Sequence, residues 1–180
     1  GGMLVVKNEE EAEKAKRIRW FGIDRNAKQK GIWENDITEV GYKYQMTDIS
    51  AALGLAALED FDENLQKRKE LFKVYSDKLS DFSDVKVIGS NLNDRTHAAW
   101  LFTILVDNRY DLQKKLKSVG IESNQMHFRN DRYSIFKEFW GGKQFPNMDL
   151  VEDKYLVLPL HQRMSVRDVD RVCSEIKRGW

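Results

Sequence analysis

The chain has 180 residues, of which 41% are hydrophobic and 33% charged, a composition that supports a folded core and argues against disorder. Lysine and arginine number 30 and aspartate and glutamate 29, so the formal net charge of +1 predicts no overall attraction to nucleic acid or to an anionic membrane. The single cysteine, Cys173, excludes an intramolecular disulfide and a cysteine-rich metal site. No signal peptide and no long apolar run is visible, which predicts a cytoplasmic protein.

The N-terminal third is predicted to contain a strand, a helix and a long loop. Residues 3–6 form a short apolar run that is typical of a buried strand. Asn8 can cap the helix that follows, and the helical spacing of apolar residues ends at Gly22. Residues 22–46 have no clean periodicity, and a loop of this length is usually functional or reaches a partner.

A strong helical pattern begins at Thr47, which is a favourable N-cap residue, and continues to Leu79. Asp60 and Asp62 interrupt the pattern. They predict two helices with a bend between them.

From Val85 to the C terminus, apolar runs alternate with helical patterns. The predicted strands are residues 85–88, 100–106, 121–128 and 155–160. A helix is predicted over residues 109–119, and Ser165 with Asp168 three residues later predicts a capped start for the last helix. The alternation predicts a complete small α/β domain, whereas the first strand and helix are predicted to be the tail of a larger domain.

The three histidines do not predict a metal site. His97, His127 and His161 lie far apart, and none has a second ligand at helical spacing. A lone histidine is more often structural than catalytic. The sequence also contains no glycine-rich nucleotide-binding motif and no nucleophile motif of the hydrolases.

Two stretches have residues that could carry chemistry. Residues 41–49 lead from an aromatic, polar loop into a capped helix N-terminus, which offers free backbone N–H groups to an anion such as phosphate. The simpler interpretation is that Tyr42 and Tyr44 pack the loop and that Lys43 is solvated. Residues 126–133 are a polar cluster at a predicted strand end, where a sheet would position them for binding. A surface group of salt bridges is the alternative there.

Three motifs in this order resemble the DegT/DnrJ-type sugar aminotransferases, and the similarity extends over nearly the whole chain. Residues 1–6, GGMLVV, resemble the segment that follows the family's cofactor lysine. Residues 41–54 resemble the most recognisable motif of the family, GYNYRMTDIQAALG. Residues 156–161, LVLPLH, together with Ser165 and the helix after it, match the family's closing pattern.

The resemblance implies a fold-type-I α/β protein that acts as a homodimer with active sites at the subunit interface. Residues 1–46 would be the end of the large cofactor-binding domain and the inter-subunit loop, and residues 47–82 connecting long helices. Residues 83–180 would be a small C-terminal α/β domain with an antiparallel-type sheet flanked by helices. The implied cofactor is pyridoxal phosphate, an electron sink. The implied reaction transfers an amino group, usually from glutamate, to a keto-sugar carried on a nucleotide.

The same resemblance assigns roles to four residues. Lys43 and Gln45 stand where the family has asparagine and arginine, and they are the expected contacts to the cofactor phosphate. His127 and Arg129 are expected on the sugar side, although the family's usual HYP-type run is absent. The Schiff-base lysine is expected upstream of Gly1, so no catalytic residue is expected within the chain. The chain alone is therefore expected to bind pyridoxal phosphate weakly and to be inactive.

Two other interpretations remain open on the sequence. A non-catalytic module could keep the same fold for dimerisation or for binding a sugar nucleotide. A helical interaction protein built on residues 47–79 would explain that segment but not the closing LVLPLH pattern. Neither nucleic acid nor a membrane is an expected partner.

Overall fold

A computed structural model of the chain describes residues 2–34, 36–90 and 93–180. The chain divides into two compact units, Gly1–Asp60 and Phe61–Trp180. The domain boundaries expected from the resemblance, after residues 46 and 82, stay predictions. Gly1, the first residue of the first motif, lies outside the described residues, as do Asn35 in the predicted loop and Asn91 and Leu92 in the predicted small domain.

The described residues of the first unit form three helices that begin at side-chain caps. They are α1 (Glu9–Ile18), α2 (Arg25–Gln29) and α3 (Asp48–Glu59). The Asn8 side-chain oxygen accepts from the backbone N–H of Glu11 at 2.9 Å, and the Thr47 hydroxyl accepts from that of Ser50 at 3.3 Å. Both caps satisfy N–H groups that the first helical turn leaves without intrahelical partners. The two helix starts predicted from the sequence are thus confirmed.

Two predictions for the first unit are wrong. Residues 3–6 do not form a strand, and Met3 is 90% exposed. A strand needs a neighbour that accepts its backbone hydrogen bonds, and no strand of the described part of this unit pairs with these residues. The loop over residues 22–46 is not continuous either, because Asp24 caps the short helix α2 within it.

The second unit is a small mixed α/β structure. In chain order, its elements are α4 (Phe61–Leu79), β1 (Val85–Val87), β2 (Phe102–Val106), α5 (Arg109–Ser118), two 3₁₀ turns (Asn130–Arg132 and Ser134–Phe136), α6 (Lys137–Trp140), α7 (Pro146–Val151), β3 (Tyr155–Leu158) and α8 (Val166–Lys177). One helix ends at Glu59 and the next begins at Phe61, so the predicted division into two helices is confirmed.

The three strands form one antiparallel sheet in the order β1-β2-β3. Ile104 in β2 pairs with Val87 on one side and with Leu156 on the other. β2 is the central strand, and its alternate side chains Phe102, Ile104 and Val106 are all buried.

The strand predicted over residues 121–128 is wrong. Asn124 and Val157 exchange two backbone hydrogen bonds, of 3.1 and 2.8 Å, and form an isolated bridge rather than a strand. Residues 126–128 are exposed. The chain has left the sheet edge at this point, and Arg129, the next residue, contacts carboxylates outside the sheet.

The core of the second unit lies between the sheet and helices α4, α5 and α8. The Phe102 ring is 0% exposed and stacks on the Tyr75 ring, with centroids 4.5 Å apart. The Tyr75 hydroxyl donates to the carbonyl of Pro159 at 3.0 Å, and burial raises the pKa of Tyr75. The last helix, α8, packs on this core through one apolar stripe. Its buried residues are Val169, Val172, Cys173 and Ile176.

Acidification is expected to weaken the N-terminal cap of α8. The backbone N–H and the hydroxyl of Ser165 each donate to the Asp168 carboxylate at 2.7 Å, and the backbone hydrogen bond is the largest cause of the lowered pKa of Asp168. Because this pKa is lower in the folded than in the unfolded state, the stabilisation is complete above about pH 4. It is lost as the pH falls through the lower, folded value.

Asp168→Asn should therefore lower the urea midpoint at neutral pH, and its deficit should shrink in acid. Asp153→Asn is the control, since the exposed Asp153 carboxylate has no side-chain partner in the described chain. An Asp168→Asn deficit that is independent of pH would contradict this account of the cap.

Candidate functional site

The backbone around Lys43 is fixed against the end of α1. The N–H of Tyr42 donates to the carbonyl of Ile18 at 2.7 Å, and its carbonyl accepts from the N–H of Phe21 at 3.1 Å. Trp20 and Lys43 form an isolated antiparallel bridge. The glycine–tyrosine–lysine motif is thus held in an extended conformation along its length.

Gly41 cannot accept a larger residue because it lies against Gly22, and Gly22 cannot accept one because of its backbone conformation and the nearby Glu39. A β-carbon on Gly41 would lie 1.8 Å from the backbone nitrogen of Gly22. Gly22 has a φ of +76°, and a β-carbon there would lie 2.5 Å from the carbonyl oxygen of Glu39. The first residue of the motif is therefore dictated by the packing of the loop on the turn after α1.

Gly41→Ala is expected to destabilise the first unit by about 3 kcal/mol or more, because the two backbones must separate and the hydrogen bonds of Tyr42 are strained. Gly54→Ala is the matched control. A β-carbon on Gly54 has no neighbour within 4 Å, and alanine is the better helix former, so we expect a gain of up to about 1 kcal/mol. Thermal unfolding followed by circular dichroism measures both. Equal effects of the two substitutions would contradict the packing argument.

Lys43 and Gln45 have side-chain groups that can receive an anion. The rings of Tyr42 and Tyr44 stack with centroids 5.0 Å apart, and Lys43 between them in sequence extends to the opposite face of the segment. Its ammonium group is exposed and has no ion pair or hydrogen bond within the described ranges. The Gln45 amide is partly buried, and its Oε1 has no partner there. The ammonium group of Lys43 is a positive point charge that suits a phosphate group, whereas the unpartnered atom of Gln45 is an acceptor and only its Nε2 could donate to a phosphate.

His127 is exposed in the stretch that follows the isolated bridge of Asn124. The Tyr155 hydroxyl donates to the carbonyl oxygen of His127. The imidazole lies 6.0 Å from the indole of Trp100, with the two planes 50° apart. Its ring nitrogens have no hydrogen-bond partner in the described chain, so they can serve a ligand as donor or acceptor.

Arg129 is enclosed by carboxylates. Its side chain is 4% exposed and contacts Asp131 at 2.6 Å, Asp149 at 2.5 Å and Glu152 at 3.0 Å. The hydrogen bond to Arg129 holds the pKa of Asp131 below its ordinary value, and the same bond is the largest of the contacts that raise the pKa of Arg129. The guanidinium is thus engaged within the chain, which indicates a structural role. Direct contact of Arg129 with a sugar stays a prediction.

Trp100 is exposed, which corrects its predicted place in a buried strand. The indole is 63% exposed, and β2 begins two residues later. Arg68 holds the backbone there, donating to the carbonyl of Ala99 at 2.9 Å and to that of Trp100 at 2.5 Å. Ala99 has a φ of +50° and donates its N–H to Nδ1 of His97 at 2.8 Å. The apolar run gives no signal of this bend, because the indole is itself apolar.

The four residues singled out from the sequence are divided between the units. Lys43 and Gln45 belong to the first unit, and His127 and Arg129 to the second. Within the described ranges, no group of three or more histidine, cysteine, aspartate or glutamate side chains is arranged to hold a metal ion. None of the helices in the described part is long and apolar enough to cross a membrane.

Comparison with known proteins gives one consistent match. A model of the DegT/DnrJ/EryC1/StrS aminotransferase family matches residues 1–177. An uncharacterized protein of Methanocaldococcus jannaschii is 30% identical over 191 residues, which cover 99% of this chain and 49% of that protein. A UDP-4-amino-4,6-dideoxy-N-acetyl-beta-L-altrosamine transaminase of Campylobacter jejuni subsp. jejuni serotype O:2 is 29% identical over 192 residues, covering 100% of this chain and 50% of that protein. The chain thus spans about half the length of the curated relatives it matches.

Solved structures give the same result for the fold. The sugar aminotransferase CalS13 of Micromonospora echinospora matches with a TM-score of 0.87 at 26% identity, over 96% of this chain and 46% of that one. The fold class expected from the resemblance is confirmed. The chain has the mixed α/β structure of the fold-type-I pyridoxal-phosphate sugar aminotransferases, with a small antiparallel sheet and flanking helices.

Proposed function

The chain belongs to the DegT/DnrJ/EryC1/StrS aminotransferase family, and we propose that it is the C-terminal portion of a pyridoxal-phosphate-dependent enzyme that aminates a nucleotide-linked keto-sugar. The observation that carries the proposal is the match of residues 1–177 to a family of aminotransferases. A relative that is a transaminase of a UDP-linked sugar supports the choice of a nucleotide sugar as substrate. The chain covers 50% of that relative, so the complete activity is proposed for a longer enzyme.

The cofactor contacts proposed for this chain are Lys43 and Gln45. Aminotransferases of the family use pyridoxal phosphate, which when bound supplies an electron sink for amino transfer. The unpaired ammonium group of Lys43 suits its phosphate group, and we assign to Lys43 a charge contact, and to the Nε2 of Gln45 a hydrogen bond, to the phosphate bound by the neighbouring subunit. The lysine that holds the cofactor is proposed to precede Gly1 in the longer enzyme. The 180-residue chain alone is then expected to be inactive.

On the substrate side, His127 is proposed to meet the sugar. Its exposed imidazole has free ring nitrogens that can donate to or accept from a sugar hydroxyl. Arg129, two residues after His127, is proposed to serve the same side indirectly, because carboxylates within the chain already engage its guanidinium. We further propose that glutamate is the amino donor, that the enzyme is a homodimer and that it is located in the cytoplasm.

The test is to express the complete reading frame that contains this chain and to assay amino transfer from glutamate to a UDP-linked keto-sugar. We expect activity from the complete protein and none from the 180-residue chain. A reading frame that begins at Met3, with a product that binds a UDP-sugar without aminating it, would overturn the proposal. That result would favour a non-catalytic module for sugar-nucleotide binding or dimerisation.

In the complete enzyme, Lys43→Ala is expected to weaken pyridoxal-phosphate binding about tenfold, because one charge-assisted contact to the phosphate is lost. Lys30→Ala removes the same charge from another exposed lysine of the first unit and should leave the affinity unchanged. Titration followed by cofactor absorbance gives both dissociation constants. Equal affinities of the two variants would remove Lys43 from the cofactor site.

A further inference from the structure

The direction in which His127 projects is not set by the sheet. The backbone pairing nearest before it is the isolated bridge of Asn124 with Val157, and residues 125–128 belong to none of the described strands or helices. An exposed stretch of this kind samples several conformations unless other contacts restrict it. The contacts that restrict it therefore decide where the imidazole lies.

The first of these contacts comes from Tyr155, the first residue of β3. Its backbone pairs with Leu105 in the central strand, so the tyrosine starts from a fixed position. Its hydroxyl donates to the carbonyl oxygen of His127. The contact joins the backbone of His127 to the hydrogen-bonded sheet.

Two further contacts lie on either side of His127 and meet at one residue. Before it, Gln125 Nε2 donates to the carbonyl of Glu152 at 3.2 Å. After it, Arg129 Nη1 donates to the Glu152 carboxylate at 3.0 Å. Because the guanidinium is buried, separation from its carboxylates would leave a charge without a partner, and the arrangement resists opening.

We propose that Tyr155 and Arg129 are positioning residues that act on the substrate through His127. The Tyr155 hydroxyl donates a hydrogen bond to the backbone of His127, and the Arg129 guanidinium forms ion pairs with carboxylates. Together they hold the imidazole 6.0 Å from the indole of Trp100 and leave its ring nitrogens to a ligand. The identity of that ligand, a nucleotide-linked sugar, rests on the proposed function. The positioning itself is a property of the chain.

The positioning is tested in the 180-residue protein by the imidazole Cε1–H resonances of its three histidines. His127→Ala identifies the signal of His127. Tyr155→Phe removes the hydroxyl and keeps the ring, and we expect the His127 signal to shift or broaden while those of His97 and His161 stay in place. Tyr110→Phe alters an exposed tyrosine of α5 whose hydroxyl has no partner in the described part, and it should move no signal. An unchanged His127 signal in Tyr155→Phe would overturn the inference.

The consequence for the reaction is tested in the complete enzyme by a double-mutant cycle. Tyr155→Phe should lower kcat/KM for the keto-sugar about two- to tenfold, the range for loss of one hydrogen bond. In a His127→Ala background it should have no further effect, because a positioning residue acts only through the group that it positions. Arg129→Lys, which keeps the charge and loses the forked geometry, should show the same dependence on His127.

The outcomes separate this inference from the proposed function. The positioning role alone would be overturned if Tyr155→Phe lowered kcat/KM by the same factor with and without His127. It would also be overturned if Tyr155→Phe left the kinetics unchanged while His127→Ala impaired them. A His127→Ala enzyme with unchanged kinetics would overturn the assignment of His127 to the substrate side, and the kinetic role of both positioning residues with it.

Discussion

Replacing Phe102 with alanine is expected to lower the free energy of unfolding by about 3 to 5 kcal/mol. The Phe102 ring is completely buried, stacks on Tyr75 at 4.5 Å and meets Phe72 edge-on at 4.9 Å. Truncation would leave a cavity between the central strand and α4. The core around it also contains Ile104 and Leu79, which are fully buried, so we expect the cavity to collapse only in part.

Phe139→Ala is the matched control, because it removes the same atoms from a side chain that is 75% exposed. The control should change the free energy of unfolding by less than about 0.5 kcal/mol. Urea unfolding followed by far-ultraviolet circular dichroism gives both values. Similar losses in the two variants would contradict the central place of Phe102 in the core.

Purified by itself, the 180-residue chain is expected to self-associate through α3. Ile49 and Leu53 are 76% and 69% exposed, and none of the α3 residues is buried. Leu55 and Leu58 expose further apolar surface around the same helix. A helix that is apolar on all sides is normally covered by protein. Left uncovered, an apolar surface of this extent favours contact between copies of the chain.

A single lysine in the surface of α3 should weaken this association. Leu53→Lys is expected to raise the dissociation constant of the oligomer about tenfold to a hundredfold, because one leucine side chain no longer enters the interface. Leu150→Lys is the control, since Leu150 in α7 is also 69% exposed. Sedimentation velocity over a wide range of concentrations measures the association. A parent chain that stays a monomer throughout would contradict the prediction.

The helix starts could be predicted from the sequence because their determinants are local. The side chains of Asn8, Thr47 and Ser165 each accept from the backbone N–H three residues later, so each cap depends on a short, fixed sequence spacing. The strands predicted over residues 3–6 and 121–128 failed for the opposite reason. A strand forms where a distant segment pairs with it, and apolar content does not say whether one does.

The candidate site also has features that the local sequence predicts and features that depend on distant residues. Lys43, Gln45 and His127 could be singled out because they lie in or beside short motifs. The contacts of Arg129 could not be foreseen, since Asp149 and Glu152 lie 20 and 23 residues further along the chain and no spacing rule links them. The local sequence is the same whether an arginine is buried among distant carboxylates or exposed to solvent. The difference appears only when the chain is folded.

The segment between Arg129 and Glu152 leaves the edge of the sheet and returns to it, and the ion pair of these two residues closes its base. Its two 3₁₀ turns, α6 and α7 contain no buried residue among those described. Each doubling of the length of a closed loop costs only about 0.6 kcal/mol. Evolution can therefore lengthen or shorten the stretch between Asp131 and Asp149 while β3 stays where it is, provided that the carboxylates that enclose Arg129 are kept.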